Sequence, residues 1–596
     1  SLQNHSTHMD GATVLAQALR SQGIEYAFGI VGIPVVEVAV AFQSAGIKFV
    51  AMRNEQSASY AASAIGYLTG KPGVCLVVSG PGVVHALAGL SNANENCWPV
   101  LVIGGASDSH LDGSEAFQEF PQAEAAAKFC KFSARLPSIA RIPHFVHKVD
   151  SRIRSCYAVK QATYGRPGAV YLDLPGDFVT SSVDSEEIHF PPPLPQPPVT
   201  LADPQSVSAA ARLLRSARRP LVVIGKGAAQ GRAELAVRQL IQSTRLPFLP
   251  TPMGKGVAAD DHPGCVSAAR TRALKQADVV VLLGARLNWI LHFGRPPRWT
   301  PDVKFIQVDI HPEEFHTNVT CEVALCGSVA AVVEQLSSEL HGFEFSSSSD
   351  WWRELNAASA ANRARVDALI VEGQTVPMTY YSALNELAKF VDNSGDDWLI
   401  VSEGANTMDI GRAMLPNRLA RRRLDAGTFG TMGVGLGFAA AADLCIGDSR
   451  VGHRRVLCLE GDSAVGFSLA ELETLARYRM PVLLVVINNS GIYSGVPADV
   501  LRQLLQQDGA APSSGALSAS AALRLPATSL TSECRYDLAA EALGGYGRLV
   551  RSVGELRQAF AEFAGVRDRP CLINAIIDTG AERKQQEFDW LSRSKL

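Results

Sequence analysis

The segment Glu460–Tyr493, EGDSAVGFSLAELETLARYRMPVLLVVINNSGIY, constrains this chain more than any other. An apolar run, Val456-Leu457-Cys458-Leu459, leads into it. After Ser463 the spacing of Leu469, Leu472 and Leu475 predicts one apolar helix face, ended by Pro481. Val482 to Ile487 then reads as a fully buried parallel strand. Two strands joined through a helix must run parallel in one sheet. An acid, Asp462, therefore stands at the C-terminal end of one strand and an amide pair, Asn488-Asn489, at the end of the next. In open α/β sheets that edge is where ligands bind.

Asp462 and Asn489 offer hard oxygens, and the turn carbonyl of Gly491 is a candidate third. Three protein oxygens leave octahedral positions free, which suits Mg²⁺ held against a diphosphate. Gly461 and Gly466 let phosphates approach the backbone near a helix N-terminus. Taken alone, the same residues also describe an ordinary βαβ unit with a polar strand end.

The rest of the chain repeats the alternation of strand and helix. Its 596 residues allow about three or four domains. The boundaries read as a tail over 1–9, a first α/β domain over 10–183, a Pro-rich linker over 184–201, a second α/β domain over 202–342, a linker with a helix over 343–377, and a third α/β domain over 378–596. The tail lacks an apolar core and is no signal peptide. Residues 506–533, rich in Ala and Ser, read as a loop or lid. No run of about eighteen apolar residues spans a membrane. A formal charge of −3 gives no global field for nucleic acid. Clusters such as Arg421-Arg422-Arg423 are candidates for phosphate contacts or, as the commoner case, solvated faces. Eleven cysteines without a CxxC fit buried thiols in a reducing compartment.

Against that background, Gly461-Asp462-Ser463 and Asn488-Asn489, with 24 residues between Ser463 and Asn488, resemble the GDG…NN motif of thiamine-diphosphate enzymes. Ser463 replaces the usual third Gly, as it does in the branch acting on acyl-CoA thioesters. The resemblance covers nearly the whole chain. It implies three parallel-sheet domains: pyrimidine-binding, central and diphosphate-binding. It assigns Asp462, Asn489 and Gly491 to Mg²⁺, and Gly461 and Ser463 to the cofactor. In Gly427–Gly435 it implies that Gly430, Thr431 and Met432 cradle the aminopyrimidine, with the Met432 side chain wedged beneath. Glu55, in Met52-Arg53-Asn54-Glu55-Gln56, matches the carboxylate that shares a proton with the pyrimidine ring. Without the resemblance Glu55 is an ordinary first-turn helix acid. The two half-sites usually come from different subunits in this family, which implies a homodimer or homotetramer.

Ser402–Asp409, Gly284–Trp289, Gly225-Lys226-Gly227 and Thr251–Gly256 are similar to the group containing 2-hydroxyacyl-CoA lyases and oxalyl-CoA decarboxylases. That group binds an adenosine diphosphate moiety in the central domain. The resemblance maps Arg166, Lys226, Arg286 and Asp309 onto it and puts Arg412 near the thioester. Arg forks suit phosphate oxygens, although each of these residues also fits a structural ion pair. Phe117–Gln122 and Gly29–Pro34 resemble the lyase branch. The implied reaction is cleavage of a 2-hydroxyacyl-CoA to formyl-CoA and an aldehyde one carbon shorter, a step of fatty acid α-oxidation. Oxalyl-CoA decarboxylase is the alternative, and a non-catalytic subunit is disfavoured by the presence of Glu55, Asp462 and Asn489 together. His85, Gln118, Glu119 and Tyr493 are candidates for handling the hydroxyl proton. Ser594-Lys595-Leu596 reads as a peroxisomal address, recognised by the import receptor at a free chain end.

Overall fold

The computed structural model describes residues 8–146, 158–507 and 518–581. Three parallel sheets carry the architecture. The first contains β1 (Tyr26–Gly29), β2 (Lys48–Ala51), β3 (Gly73–Val77), β4 (Val100–Ala106), β5 (Phe132–Arg135) and β6 (Ala169–Pro175). The second contains β7 (Pro220–Ile224), β8 (Phe248–Pro250), β9 (Val279–Leu283), β10 (Lys304–Asp309) and β11 (Val323–Cys326). The third contains β12 (Trp398–Ser402), β13 (Arg423–Asp425), β14 (Arg455–Gly461), β15 (Leu483–Asn488), β16 (Tyr546–Val550) and β17 (Cys571–Ile576). Central strands such as β4, β9 and β15 are buried along their whole length, because helices cover both faces.

The strand order is β2-β1-β3-β4-β6-β5 in the first sheet and β13-β12-β14-β15-β17-β16 in the third. Counted from each sheet's first strand, both run 2-1-3-4-6-5. The middle sheet follows the same order through its first four strands, β8-β7-β9-β10, and ends on β11. Each sheet therefore has the same switch point, and its ligand edge is built from equivalent strand ends.

The first and third sheets meet through two helices rich in small residues, α1 (Glu55–Thr69) and the later Gly435–Leu444. A Cβ at Gly437 would lie 2.7 Å from the Ser57 carbonyl oxygen, so only glycine permits this approach. Trp98, fully buried, stacks on Tyr67 at 5.1 Å and packs against Phe438 at 5.3 Å. One aromatic cluster thus joins residues far apart in the chain.

Three sequence expectations need amendment. His8–Asp10, at the edge of the expected tail, pairs antiparallel with Ser182–Asp184, so part of the tail belongs to the fold. The Arg421-Arg422-Arg423 cluster is neither a solvated face nor open to phosphate. Arg421 pairs with Glu234, Arg422 with Asp397, and Arg423 is buried against Asn417 and the Leu415 carbonyl. The single helix expected after Ser463 is broken into Asp462–Val465 and Glu471–Arg477. The linker helix spans Asp350–Glu372 and anchors through Trp351, whose indole donates to the Pro220 carbonyl. No helix among the described residues is long and apolar enough to cross a membrane. Ser594–Leu596 lies outside the described residues.

Candidate functional site

At the C-terminal edge of the third sheet, β14 delivers Asp462 and β15 delivers Asn489, both 3% exposed. Asp462 Oδ1 accepts from the Ser463 amide at 2.8 Å. Asp462 Oδ2 and Asn489 Oδ1 both accept from the Gly491 amide, at 3.1 and 3.3 Å. Burial pushes the Asp462 carboxyl up to about 6, against the pull of the Ser463 and Gly491 amides. Among the described residues no cationic side chain pairs with it. A buried acid beside an amide oxygen is a donor set that fits a hard divalent cation. Gly491 meets the pair through its N–H, and its carbonyl accepts no hydrogen bond among the described residues. Asn489 Nδ2 donates to the Tyr493 carbonyl at 2.8 Å, which fixes the amide's orientation. Tyr493 itself has φ +69° and an exposed ring.

The 506–533 segment closes this corner. Ile492 donates to Thr528, Leu530 donates to Ser490, and Glu533 donates to the Ser490 hydroxyl. Residues 528–530 thus strap the turn that follows Asn489. Residues 508–517 of the segment are not among those described.

The glycine-rich turn Gly427–Gly435 is held from several directions. Asp425 Oδ1 accepts from Gly427 N, while Arg412 binds Asp425 Oδ2 and Asp409 at 2.9 Å each. Glu403, fully buried, accepts from the amides of Gly433 and Gly435. Burial, reinforced by the charge of Glu460, holds the Glu403 carboxyl well above the ordinary carboxylate range. A Cβ on Gly435 would lie 2.1 Å from Glu460 Oε1, so glycine is required where the two carboxyls close on the turn. Gly430 is exposed with φ +73°, and Thr431 and Met432 are half-buried. Met432 is therefore not fully buried in the core.

The first sheet presents a second group. Glu55 opens α1 behind the Asn54 cap and lies 14% exposed, with Oε2 3.0 Å from His85 Nδ1. His85 comes from α2 (Pro81–Asn96). A Cβ on Gly82 would sit 3.7 Å from Glu55 Oε1, so the Ser79–Gly82 turn borders the carboxylate. Gln118, φ +58°, packs on Gly80 and accepts from the Ser79 hydroxyl at 3.3 Å. The half-buried Glu119 receives the Gly113 and Ala116 amides, which hold its carboxyl below the usual range. Within one chain Glu55 forms no hydrogen bond or ion pair with Asp462, Asn489 or the Gly427–Gly435 turn, among the described residues.

A third feature is a cavity of about 370 Å³ against the central sheet. Arg166, Lys226, Arg286 and Asp309 all line it, although they come from distant parts of the sequence. Arg166 pairs with Asp309 and Glu314 at 2.9 Å, and Arg286 donates to the Glu95 carbonyl at 2.8 Å. Burial pulls the Lys226 ammonium down to about 8. Arg412 is not in this wall; it sits behind the glycine-rich turn. Sequence reading gave no role to Glu403 and Trp289, although both lie in the quoted stretches Ser402–Asp409 and Gly284–Trp289, and it passed over Asn92 and Asn96; all four hold that turn. Asn92 and Asn96 carry no motif of their own, and no local pattern announces contacts made more than 330 positions away.

Comparison with known proteins bears on these features. The chain matches the N-terminal TPP binding domain of thiamine pyrophosphate enzymes over residues 9–126, their central domain over 207–336 and their C-terminal TPP binding domain over 403–575. It is 49% identical to 2-hydroxyacyl-CoA lyase 1 of Mus musculus, covering 99% of this chain and 97% of that protein. Against 2-hydroxyacyl-CoA lyase of Oryza sativa the identity is 41%, covering 96% of each. Oxalyl-CoA decarboxylase of Escherichia coli K12 is 37% identical, over 96% of this chain and 95% of that protein.

Proposed function

The chain belongs to the 2-hydroxyacyl-CoA lyase family of thiamine pyrophosphate enzymes, and from that premise we propose that it cleaves the C1–C2 bond of a 2-hydroxyacyl-CoA. The products are formyl-CoA and an aldehyde one carbon shorter. The observation that carries this reading is the full-length identity of 49% to a lyase, against 37% to the decarboxylase. Thiamine diphosphate, when bound, supplies the ring that accepts the electron pair of the breaking bond. The rest falls to residues of the chain.

Asp462, Asn489 and the Gly491 carbonyl would hold Mg²⁺ and, through it, the diphosphate. Gly461 and Ser463 bring backbone close to the phosphates. Gly430, Thr431 and Met432 receive the aminopyrimidine, and the half-buried Met432 side chain supports it from below. Glu55 shares a proton with the ring nitrogen. In the substrate, the 2-hydroxyl gives up its proton and becomes the aldehyde carbonyl, while C1 keeps the bonding pair and gains a proton. Gln118 and Tyr493 are the polar groups we place nearest that exchange, with His85 and Glu119 behind them.

Because the two half-sites usually come from different subunits in this family, we take the working unit as at least a homodimer, a tetramer being two such pairs. Exposed Phe117, Phe429, Phe467 and Tyr493 supply apolar surface for the second copy. The central cavity takes an adenosine diphosphate moiety. Its size falls in the range of about 300–1,000 Å³ usual for ligand pockets, and three cationic side chains surround it. A peroxisomal setting rests on Ser594-Lys595-Leu596.

The deciding experiment incubates the protein with a 2-hydroxyacyl-CoA, thiamine diphosphate and Mg²⁺ and assays aldehyde and formyl-CoA, with oxalyl-CoA in parallel. Turnover of oxalyl-CoA alone transfers the chain to the decarboxylase reading. Turnover of neither makes it a non-catalytic subunit.

A further inference from the structure

Gln122, 2% exposed, bridges the C-terminal ends of three neighbouring strands in the first sheet. Its Oε1 accepts from the amide of Gly80, just beyond β3, at 2.9 Å. Its Nε2 donates to the Gly105 carbonyl on β4 at 2.6 Å and to Asp173 Oδ1 on β6. One donor faces the oxygen and two acceptors face the nitrogen, so the amide has a single satisfied orientation. Asp173, equally buried, is itself held by the Tyr171 hydroxyl and by Arg135, each at 2.8 Å.

One buried amide thus pins the Ser79–Gly82 turn to the sheet, and Gln118 rests on that turn. A Cβ on Gly80, φ +54°, would stand 2.6 Å from the Gln118 carbonyl oxygen. The Ser79 hydroxyl reaches Gln118 Oε1 from the same turn. Gln118 has φ +58°, a left-handed conformation that a non-glycine residue keeps only where its surroundings hold it. The other end of its loop is tied down as well. Arg135 donates to the Ser107 carbonyl at 3.1 Å and pairs with Asp112 at 2.7 Å, and Asp177 accepts from the Ser109 amide at 2.8 Å. An apolar side chain at 122 could fill the same space, but it would leave the buried Gly80 amide without its partner.

We propose that Gln122, braced by Asp173, is a positioning residue that sets the Gln118 side chain at the 2-hydroxyl of the substrate. This rests on the proposed lyase reaction and on the placement of Gln118 beside the exchanging proton. The line of contact runs from Asp173 through Gln122 and Gly80 to Gln118, and only Gln118 meets the substrate. Without Gln122 the turn and Gln118 lose their fixed position, and a misplacement of ~1 Å can cost ~10²-fold in rate.

The test compares Gln122→Asn, Gln118→Ala and the double variant in the whole protein, with a 2-hydroxyacyl-CoA, thiamine diphosphate and Mg²⁺. Asparagine keeps the amide but, one methylene short, cannot reach Gly80 and Asp173 together. In Gln122→Asn the kcat per folded enzyme should fall by at least ~10-fold. Thiamine diphosphate affinity and exchange of the cofactor's C2 hydrogen should stay at wild-type values, since Glu55 keeps its own anchor in α1. Added to Gln118→Ala, the substitution should cost little more, because the side chain it positions is gone; independent effects would multiply instead. Losses that multiply, C2 exchange slowed in step with turnover, or an unchanged kcat each overturn the proposal. If Gln122→Asn does not fold, Gln122→Glu decides. It has the same length and still accepts from Gly80, but its ionised carboxylate cannot donate to Asp173, so the same kcat loss and the same lack of multiplication are required. A wild type that turns over no 2-hydroxyacyl-CoA, or full activity in Gln118→Ala, instead overturns the reading beneath.

Discussion

Asp462 and Asn489, 27 positions apart on neighbouring strands, turn their side-chain oxygens onto a single donor, the amide of Gly491. The convergence follows from topology. β14 and β15 are adjacent and parallel, with Gly461 in register with Ile487, so the residues just beyond both ends emerge side by side. Buried oxygens with one shared amide between them leave a carboxylate poorly neutralised, which a divalent cation would remedy.

Asp462→Ala should therefore abolish Mg²⁺-dependent binding of thiamine diphosphate while leaving the fold intact, because the substitution removes a buried charge that has no cationic partner. Calorimetric titration with the cofactor in Mg²⁺ measures this, and wild-type affinity in the variant would remove Asp462 from the metal site.

Trp98→Ala tests the joint between the first and third sheets. The indole stacks on Tyr67 and meets Phe438 with no exposure, and large aromatic-to-alanine changes in cores cost about 3–5 kcal/mol. The thermal midpoint should fall markedly, and cofactor affinity with it, since α2 ends beside Trp98. An unchanged midpoint would mean that the joint contributes little.

A pH-dependent contact sits nearby. Asp448 accepts from Arg450 and from the Tyr26 hydroxyl, and these bonds, Arg450 foremost, hold its carboxyl down at about 2. The unfolded carboxyl titrates near ~3.9. A depressed acid contributes stability that is full above the unfolded value and is lost as pH falls through the folded one. Asp448→Asn should lower the thermal midpoint at neutral pH, and the gap from wild type should close between about pH 4 and 2. A gap that persists at pH 2 would assign the effect to lost packing.

Much of this was legible in the sequence, and the parts that were share one property: they are local. The acid and amide at consecutive strand ends, the helix-start Glu55 and the glycine-rich turn each occupy a short stretch. The supports of that turn are not local. Thr428 meets Asn96 across 332 positions, and Lys226 meets the same asparagine across 130. Arg423 looked like surface charge because composition cannot reveal a buried guanidinium bonded to Asn417 and a carbonyl. His8–Asp10 is too short for a period-2 signal, and its partner strand lies more than 170 positions on.

The proposed address Ser594-Lys595-Leu596 makes a separable prediction. Deleting Ser594-Lys595-Leu596 should leave lyase activity in a lysate unchanged and move the protein from peroxisomes to cytosol. Fluorescence localisation in intact cells measures it, and import that survives the deletion would place the address elsewhere.

Glu55 separates binding from chemistry. Its side chain is largely buried, bordered by the Ser79–Gly82 turn, with His85 Nδ1 at 3.0 Å. A carboxyl so enclosed can pass a proton to a ring nitrogen without competition from bulk water. Most of the cofactor's binding energy, however, should come from the diphosphate, the cation and the third-sheet turn. Glu55→Gln keeps the size and one hydrogen bond but cannot cycle the proton. Loss of general acid–base catalysis typically costs ~10²–10⁴-fold in rate. We expect kcat to fall by about that factor, with thiamine diphosphate affinity changed far less. Exchange of the cofactor's C2 hydrogen with deuterated water, read by quenched-flow NMR, should slow along with turnover. Exchange at the wild-type rate in Glu55→Gln would show that another group activates the ring. Glu55 would then be an ordinary helix-start acid, stabilised by the N-terminal dipole of α1.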